Sequence, residues 1–309
     1  MPNFRMQAFQ ELILISHVNL AQKTAAGLVD KDSAAGAFQL LEALRDGRFT
    51  FAIEPWHDAT HKNGVQHYPA ELLLRARLPD GTPIKPLTPI TTLSRAGLQS
   101  TFDQAIILAG IDQALRLRQM PVSINTSARN MASASFWQDV SSMLCTYFPR
   151  HDIQNSLTFE VTEDDLADNP CRTVLLEMKE RLGCSFAIDD FYHDRQIHLQ
   201  QNDGVDSTDW QRLENLRGII DFVKIDGETI EAAIQKKFDL DPLLKRIKEI
   251  VPDAHIITER VNDEHEAHYL GSVHGVDAVQ GLHLTEDRTE FQRRLFGAIN
   301  NFPPKPDNI

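Results

Sequence analysis

The feature of this chain that most constrains its fold is an alternation of strand-like and helix-like segments that starts at Phe49. Short runs rich in β-branched and aromatic residues predict eight strands: Phe49–Glu54, Glu71–Leu78, Val122–Asn125, Leu157–Val161, Ser185–Ile188, Ile220–Ile225, His255–Thr258 and Asp277–Val279. Helical patterns lie between most of them, over 99–118, 135–147, 170–182, 228–250, 263–270 and 286–298. This alternation predicts an α/β fold, and a TIM-like (β/α)8 barrel in preference to an open doubly wound sheet.

The regions outside this alternation predict how the chain is organised. The polar loop 57–69 has no helical pattern, so the first strand is predicted to run antiparallel to the second. Residues 1–33 predict an N-terminal helical extension, 34–300 the barrel domain, and 301–309 a non-helical tail. A long polar segment, 192–216, ends in a helix-like run. A connection of that length indicates a functional lid or a disordered insert.

Polar side chains occur where the predicted strands end. Asp189 and Asp190 directly follow the apolar run Ser185–Ile188. Neighbouring carboxylates repel each other, so the pair predicts a bound cation; alternatively, one of them caps the next helix. In a (β/α)8 barrel the carboxyl ends of all strands meet at one mouth. The side chains expected at that mouth are Glu71, Arg75, Asn125, Glu160, Glu163, Asp189, Asp190, Lys224, Glu259 and Gln280.

This set of side chains indicates a particular kind of metal. It consists of carboxylates, amides and basic groups and contains no His or Cys. Oxygen ligands alone suit hard divalent cations such as Mg²⁺, Mn²⁺ or Ca²⁺. Sites with two such ions commonly serve phosphoryl displacement. The alternative is that each residue is a separate helix cap or surface charge, which requires most of the strands to end in such a residue by coincidence.

Charge and cysteine content narrow the classes of function. A formal net charge of −13 argues against a face that binds a nucleic acid polymer. No apolar run approaches the roughly 20 residues that span a bilayer, so membrane insertion is not expected. Cys145, Cys171 and Cys184 are an odd number without a close pair. They predict reduced thiols in a cytoplasmic protein.

The motifs that contain these residues resemble those of the EAL domain family. They are Glu71-Leu72-Leu73-Leu74-Arg75, Asn125-Thr126-Ser127, Phe159-Glu160-Val161-Thr162-Glu163, Ile188-Asp189-Asp190-Phe191, Val223-Lys224-Ile225-Asp226, Thr258-Glu259-Arg260-Val261 and Val279-Gln280-Gly281. They follow the family's order and spacing over residues 34–300. The family hydrolyses cyclic di-GMP, a bacterial second messenger, to the linear dinucleotide pGpG.

The resemblance implies a role for each matched position. The ligands of one or two Mg²⁺ or Mn²⁺ ions would be Glu71, Asn125, Glu160, Asp189, Asp190 and Glu259. The catalytic residues would be Glu71, Lys224 and Glu259. Cyclic di-GMP would be bound by Arg75, Glu54, Pro55 and Gln280, and Glu163 would brace the loop after its strand. The resemblance also implies a homodimer.

Departures from the family pattern leave two functions open. The family has a short Gly-rich loop, Asp-Asp-Phe-Gly-Thr-Gly, where this chain continues with Tyr192 and a longer polar segment. Glu54 replaces a Gln, Arg260 a Gly and Asn262 a Glu of the family pattern. One hypothesis is a phosphodiesterase specific for cyclic di-GMP that uses metal-activated water. The alternative is a weak or inactive receptor that binds cyclic di-GMP or a protein partner and signals through the altered 192–212 loop.

Overall fold

The ten strands of the computed structural model belong to one sheet that closes almost into a barrel. The structure describes residues 2–59, 68–116, 121–149, 153–162, 171–192 and 208–281. The strands are β1 (Phe49–Pro55), β2 (His57–Asp58), β3 (Ala70–Arg77), β4 (Pro83–Ile84), β5 (Val122–Thr126), β6 (Leu157–Val161), β7 (Ser185–Phe191), β8 (Phe222–Ile225), β9 (His255–Thr258) and β10 (Ala278–Val279). Their order is β1-β3-β5-β6-β7-β8-β9-β10-β2, and β4 pairs with β3.

Ten helices occur in the described parts of the chain. They are α1 (Pro2–Ala25), α2 (Lys31–Arg45), α3 (Leu87–Arg95), α4 (Gln99–Arg116), α5 (Ala134–Tyr147), α6 (Arg172–Leu182), α7 (Thr208–Asn215), α8 (Gly227–Ile234), α9 (Leu240–Ile250) and α10 (Glu264–Val273), with a 3₁₀ turn over Ala128–Ala132. Neighbouring strands from β3 to β10 are parallel, apart from the short β4. The predicted barrel of alternating strands and helices is confirmed.

One continuous stretch of chain closes the barrel. β1 runs antiparallel to β3 and places Glu54 opposite Glu71. After Trp56 the chain continues as β2, which pairs antiparallel with β10. The stretch 49–58 therefore lies between the first and last strands of the parallel series. The antiparallel first strand is confirmed, whereas the loop predicted over 57–69 begins with a strand, because β10 offers that stretch a free edge to pair with.

The helix predicted over 228–250 is wrong, because this stretch forms the separate helices α8 and α9. Lys236 has a left-handed backbone (φ 58°), which ends α8. The side chain of Asp239 accepts a hydrogen bond from the backbone N–H of Asp241 and caps α9. Pro242 lies in the first turn of α9, where its missing N–H costs nothing, whereas it would break a helix that ran through this point.

Other boundaries also differ from the sequence prediction. α2 begins at Lys31, before the predicted start of the barrel domain at residue 34, because the side chain of Asp30 accepts a hydrogen bond from the N–H of Ser33. α3 was not predicted by the strand–helix alternation. The predicted helix over 286–298 and the tail 301–309 lie outside the described residues.

The N-terminal helix α1 packs against α2 and α4. Phe9, Ile13 and Leu20 of α1 are buried in the main hydrophobic core. Of the helices in the described ranges, none combines the length and the apolar character needed to cross a membrane.

Side chains alternate along the strands between the hydrophobic core under the helices and the interior of the barrel. Phe159 of β6 and Phe186 of β7 contact Trp137 of α5, with ring centroids 5.0 and 5.5 Å apart, so these positions face the helices. The next position along each strand faces the barrel interior. Ala187 accordingly lies in a small separate cluster that includes Trp56. This alternation directs the acidic residues of the same strands into the interior.

Candidate metal centre

Acidic side chains from four strands meet around one ammonium group. Glu160, Asp189 and Glu259 lie near or just after the carboxyl ends of β6, β7 and β9, whereas Glu71 is the second residue of β3. Lys224 Nζ lies 2.6 Å from Glu160 Oε2, 2.6 Å from Asp189 Oδ1, 2.8 Å from Glu259 Oε1 and 3.3 Å from Glu71 Oε2. The side chain of Lys224 is 1% exposed. A single ammonium therefore faces four carboxylates, and one positive charge cannot balance them all.

Two side-chain amides hold the carboxylate of Glu71 from opposite oxygens. Asn125 Nδ2 donates to Glu71 Oε1 at 2.6 Å. Gln280 Nε2 donates to Glu71 Oε2 at 2.7 Å and lies 3.4 Å from Glu54 Oε2. The predicted residues Glu71, Asn125 and Gln280 thus belong to one hydrogen-bond network, which fixes the orientation of the Glu71 carboxylate.

An irregular strand end brings the two adjacent aspartates to the same site. Adjacent residues of a regular strand point to opposite faces, so a regular β7 would send Asp190 away from Asp189. The pairing of β7 with β8 shifts by one residue between Ile188 and Phe191, which is a β-bulge. Within it Asp190 has a left-handed backbone (φ 45°). The oxygens of Asp189, Asp190 and Glu259 consequently lie within 4.8 Å of one another.

The carboxylates fall into two groups whose geometry fits divalent cations. Glu71, Glu160 and Asp189 form one group, and Asp189, Asp190 and Glu259 form the other, each with ligand oxygens within 4.8 Å of one another. Asp189 belongs to both, as a carboxylate shared by two neighbouring ions would. Glu160 Oε1 is buried and has no hydrogen-bond partner among the described residues. Because this oxygen and the all-oxygen donor set suit a hard cation, the site could bind a metal.

Crowding of the carboxylates shifts the pKa values of the centre. Burial, followed by the charge of Glu71, raises the pKa of Glu160 well above its ordinary value. Burial also raises the pKa of Glu259 to about 8, although Lys224 opposes this shift. Burial alone would lower the pKa of Lys224, but the charges of Asp189, Glu160 and Glu71 outweigh it and raise that pKa well above its ordinary value. Glu160 and Glu259 therefore resist ionisation while Lys224 stays charged, and a further cation would favour the ionised carboxylates.

Of the residues predicted to bind the substrate, Glu54 and Pro55 lie on β1, Arg75 lies on β3, and Gln280 directly follows β10. The side chain of Arg75 is 49% exposed, and its Nη2 lies 4.0 Å from Glu54 Oε1. Arg75 Nη1 also donates to the main-chain oxygen of Leu74 at 3.2 Å. Pro55 ends β1 opposite Ala70. The loop-bracing residue Glu163 lies outside the described residues, so its role stays a prediction.

Two buried side chains that contact the centre, Trp56 and Arg212, were not predicted from the sequence. Lys224 Nζ lies 5.6 Å from the centroid of the Trp56 ring, which forms part of the floor of the site. Arg212 of α7 is 1% exposed and donates from Nη2 to the main-chain oxygens of Asp189, at 2.8 Å, and Val161. The spacing of Asp209 and Arg212 was a signal for an ion pair on a helix, but it gave no sign that the pair is buried.

The fold and the site define a class: parallel-stranded barrels whose mouth carries a carboxylate centre suited to divalent cations. A family model described as "EAL domain" matches residues 38–287, and the chain therefore belongs to the EAL domain family. The comparison with curated proteins found no match.

Solved structures of EAL domains share the fold. The FimX EAL domain from Pseudomonas aeruginosa bound to c-di-GMP is 22% identical, with a TM-score of 0.59 over 81% of this chain and 93% of that chain. The c-di-GMP complex of the PaMucR phosphodiesterase is 20% identical, with a TM-score of 0.58 over 82% of this chain and 99% of that chain. An EAL domain protein from Listeria monocytogenes EGD-e is 18% identical, with a TM-score of 0.58 over 83% of this chain and 97% of that chain.

Two departures from the family pattern fall at backbone positions that favour glycine. Tyr192 (φ 66°) and Arg260 (φ 53°) both have left-handed conformations, and the family pattern has Gly at both. The side chain of Arg260 is 60% exposed, lies 3.6 Å from Glu228 Oε1 and packs over the Cα of Gly227, where a Cβ would clash with it. At both positions the backbone therefore has a conformation typical of glycine, although the residues are Tyr and Arg.

Proposed function

We propose that this protein is a metal-dependent phosphodiesterase that hydrolyses cyclic di-GMP to linear pGpG. The observation that carries the proposal is the pair of carboxylate groups that share Asp189 at the mouth of an EAL-type barrel. Two of the similar structures, those of FimX and PaMucR, contain bound c-di-GMP, and this supports the choice of ligand.

The metal would be one or two Mg²⁺ or Mn²⁺ ions held by the acidic centre. The ligands would be Glu71, Asn125, Glu160, Asp189, Asp190 and Glu259. When bound, such ions neutralise phosphodiester charge and lower the pKa of a coordinated water enough for it to attack phosphorus. A bound ion would have to share the carboxylates that now accept hydrogen bonds from Lys224.

The residues of this chain would hold the reacting groups and move protons. Asn125 and Gln280 keep the Glu71 carboxylate in one orientation through hydrogen bonds of 2.6 and 2.7 Å. Lys224 Nζ, which contacts both carboxylate groups, would donate a hydrogen bond to the attacking water or to its ligands. Glu259, whose carboxylate lies 2.8 Å from Lys224 Nζ and beside Asp189 and Asp190, would help to hold the metal and the water near it.

Arg75 and Glu54 would bind the dinucleotide. The half-exposed guanidinium of Arg75 is available to a phosphate, which is a better partner than a carboxylate 4.0 Å away. The Glu54 carboxylate would accept hydrogen bonds from N1–H and N2–H₂ of guanine, a geometry that a carboxylate satisfies with both oxygens.

The proposal is tested with Glu71→Ala and Asp189→Ala in the presence of Mn²⁺ or Mg²⁺. We expect both to lower the rate of pGpG release from cyclic di-GMP by more than about 100-fold while the circular dichroism spectrum is kept. Asp221→Asn, at the opposite end of the strands, is the control and should retain most activity. Unchanged turnover in both active-site variants would refute the assignment.

The second candidate function is a receptor that binds cyclic di-GMP or a protein partner without hydrolysis. The observation that favours it is Tyr192, which occupies a position where the family pattern has Gly and begins a longer, different loop. Isothermal titration with cyclic di-GMP, followed by analysis of the same sample for pGpG, separates the two. Tight binding without product in Mg²⁺ and in Mn²⁺ favours the receptor.

A further inference from the structure

Helix α7 places a buried ion pair against the irregular end of β7. Arg212 Nη2 donates to the main-chain oxygen of Asp189 at 2.8 Å and to that of Val161, the last residue of β6. Asp209 Oδ1 lies 3.6 Å from Arg212 Nη1. Asp209 Oδ2 accepts a hydrogen bond from the N–H of Tyr192 at 3.0 Å. The pair therefore holds the main chain of β7 at two points, three residues apart.

The main chain between these points has an unfavourable conformation. Asp190 and Tyr192 have φ values of 45° and 66°, and the left-handed region costs a residue other than glycine about 1 kcal/mol. Such a conformation persists only where the surroundings fix it. Part of this support comes from α8 and its N-cap, since the N–H of Asp226 donates to the oxygen of Phe191 at 3.0 Å and Thr229 Oγ1 donates to the oxygen of Tyr192.

Packing alone does not account for an arginine at this position. Leu213 of α7 and Leu216 just after it are fully buried and already supply apolar contact with the core. Burying a guanidinium costs free energy unless its N–H groups find acceptors, so an apolar side chain would serve packing better. The acceptors of Arg212 are main-chain oxygens at the carboxyl ends of β6 and β7, which are the strands that carry Glu160 and Asp189.

We infer that Arg212 is a positioning residue that, together with Asp209, fixes the bulged end of β7 so that Asp189 and Asp190 both face Glu259. This inference rests on the proposed metal-dependent function. Helix α7, which follows the segment that differs from the family pattern, would therefore hold the proposed metal ligands in place. Neither side chain belongs to the two carboxylate groups, and both contact the main chain at the end of β7.

The test compares Arg212→Met with a matched variant at the other end of the barrel. Lys179 of α6 is also a helix-borne cation bound at strand ends, because its Nζ donates to the oxygen of Ile219 at 2.7 Å and to Asp221 Oδ1 at 2.6 Å. Lys179→Met removes that cation without touching the metal centre. Arg212→Lys is the conservative variant. The full chain is examined by amide hydrogen exchange of the 186–192 peptide without metal and by isothermal titration with Mn²⁺.

We expect Arg212→Met to accelerate exchange in the 186–192 peptide and to weaken Mn²⁺ binding by about tenfold or more. Lys179→Met should leave Mn²⁺ affinity within about twofold of wild type, even if it lowers stability as much. Arg212→Lys should recover part of the Mn²⁺ affinity, because an ammonium can donate to the same oxygens.

Two results would overturn the inference while the proposed function stands. Unchanged exchange in Arg212→Met shows that the pair does not hold the strand end. Faster exchange with unchanged Mn²⁺ affinity shows that the pair serves stability alone. A wild-type protein that binds no Mn²⁺ at millimolar concentration overturns the proposed function and the inference together, and this case is recognised because the defect is already present before any substitution.

Discussion

Two lysines at opposite ends of the barrel show how differently this chain uses the same charge. At the amino ends of β7 and β8, Lys179 meets one carboxylate, that of Asp221, whose Oδ2 also accepts from the N–H of Phe186. At the carboxyl ends, Lys224 meets four carboxylates and is almost completely buried. One cation and one acid suffice to tie a helix to a sheet. An excess of buried acid opposes folding, so its presence at the mouth indicates function.

The two ends also differ in how they make left-handed turns. At the amino end, α6 finishes at Gly183 (φ 64°) and Asn155 (φ 58°) precedes β6. Glycine adopts this backbone without penalty, and asparagine tolerates it better than most other residues. At the mouth, Asp190, Tyr192 and Arg260 adopt similar conformations as non-glycine residues. The left-handed residues at the amino end are therefore of types that favour stability. At the mouth, Tyr192 and Arg260, which lie beside the acidic residues, are not.

The largest expected effect concerns the two lysines. Lys224→Met leaves four carboxylates without their ammonium, and we expect the free energy of unfolding in EDTA to fall by about 3–5 kcal/mol at pH 8. Lys179→Met removes a partly exposed pair, and we expect a loss of about 1 kcal/mol. Urea unfolding measures both, and adding Mn²⁺ should restore part of the loss in Lys224→Met alone. Equal losses in EDTA would remove the distinction between the two ends.

The next effect is the pH dependence of the metal-free protein. Glu160 and Glu259 have pKa values above those of the unfolded chain, so folding takes up protons between the two values. The free energy of unfolding should therefore fall as pH rises from about 4.5 to about 8, by about 3–5 kcal/mol from Glu259 alone. The raised pKa of Lys224 adds nothing in this window, since its contribution is fully present below pH 10.5.

Glu259→Gln isolates the contribution of one acid to this pH dependence. Removing the titrating group should flatten the dependence of unfolding free energy on pH in EDTA, as measured by urea unfolding at half-unit pH steps. A curve for Glu259→Gln that runs parallel to wild type from pH 5 to pH 8 contradicts the raised pKa.

The smallest effect concerns the left-handed turns. Arg260→Gly should be about 1 kcal/mol more stable than Arg260→Ala, because both lose the exposed pair with Glu228 and only glycine relieves the backbone. Gly183→Ala should be destabilising by about 1 kcal/mol or more, since its Cβ would also contact Asn155. Thermal or urea unfolding measures all three variants. If glycine and alanine at 260 are equally stable, the conformation of Arg260 carries no penalty.

The barrel and the convergence of the acids could be predicted from the sequence because both depend on short-range rules. Apolar runs such as Leu157–Val161 and His255–Thr258 mark strands with the observed bounds. Alternation along each strand and the common direction of parallel strands then place Glu160 and Asp189 at one mouth. Glu71 joins them from the second position of β3, which this rule alone does not explain. The structure brings these side chains together around Lys224. The resemblance implied that Lys224 is catalytic, but it did not predict that the lysine contacts four carboxylates.

The features that escaped prediction depend on contacts between distant parts of the chain. The pairing of β2 with β10 joins residues more than 200 positions apart, and the sequence of His57–Asp58 alone does not indicate a strand. The irregular end of β7 is joined by hydrogen bonds to side chains of α7 and α8, which lie further along the chain. Arg212 has the spacing of an exposed ion pair with Asp209, and only the tertiary structure buries it.

The central claim is that the crowded carboxylates at the mouth hold divalent cations. An anomalous-difference map from crystals soaked in Mn²⁺, recorded at the manganese edge, tests this most directly. We expect one or two peaks at the mouth, with Asp189 within coordination distance of each, and their loss in Asp189→Ala crystals. A map without any peak near Glu71, Glu160, Asp189, Asp190 or Glu259 at saturating Mn²⁺ would contradict it.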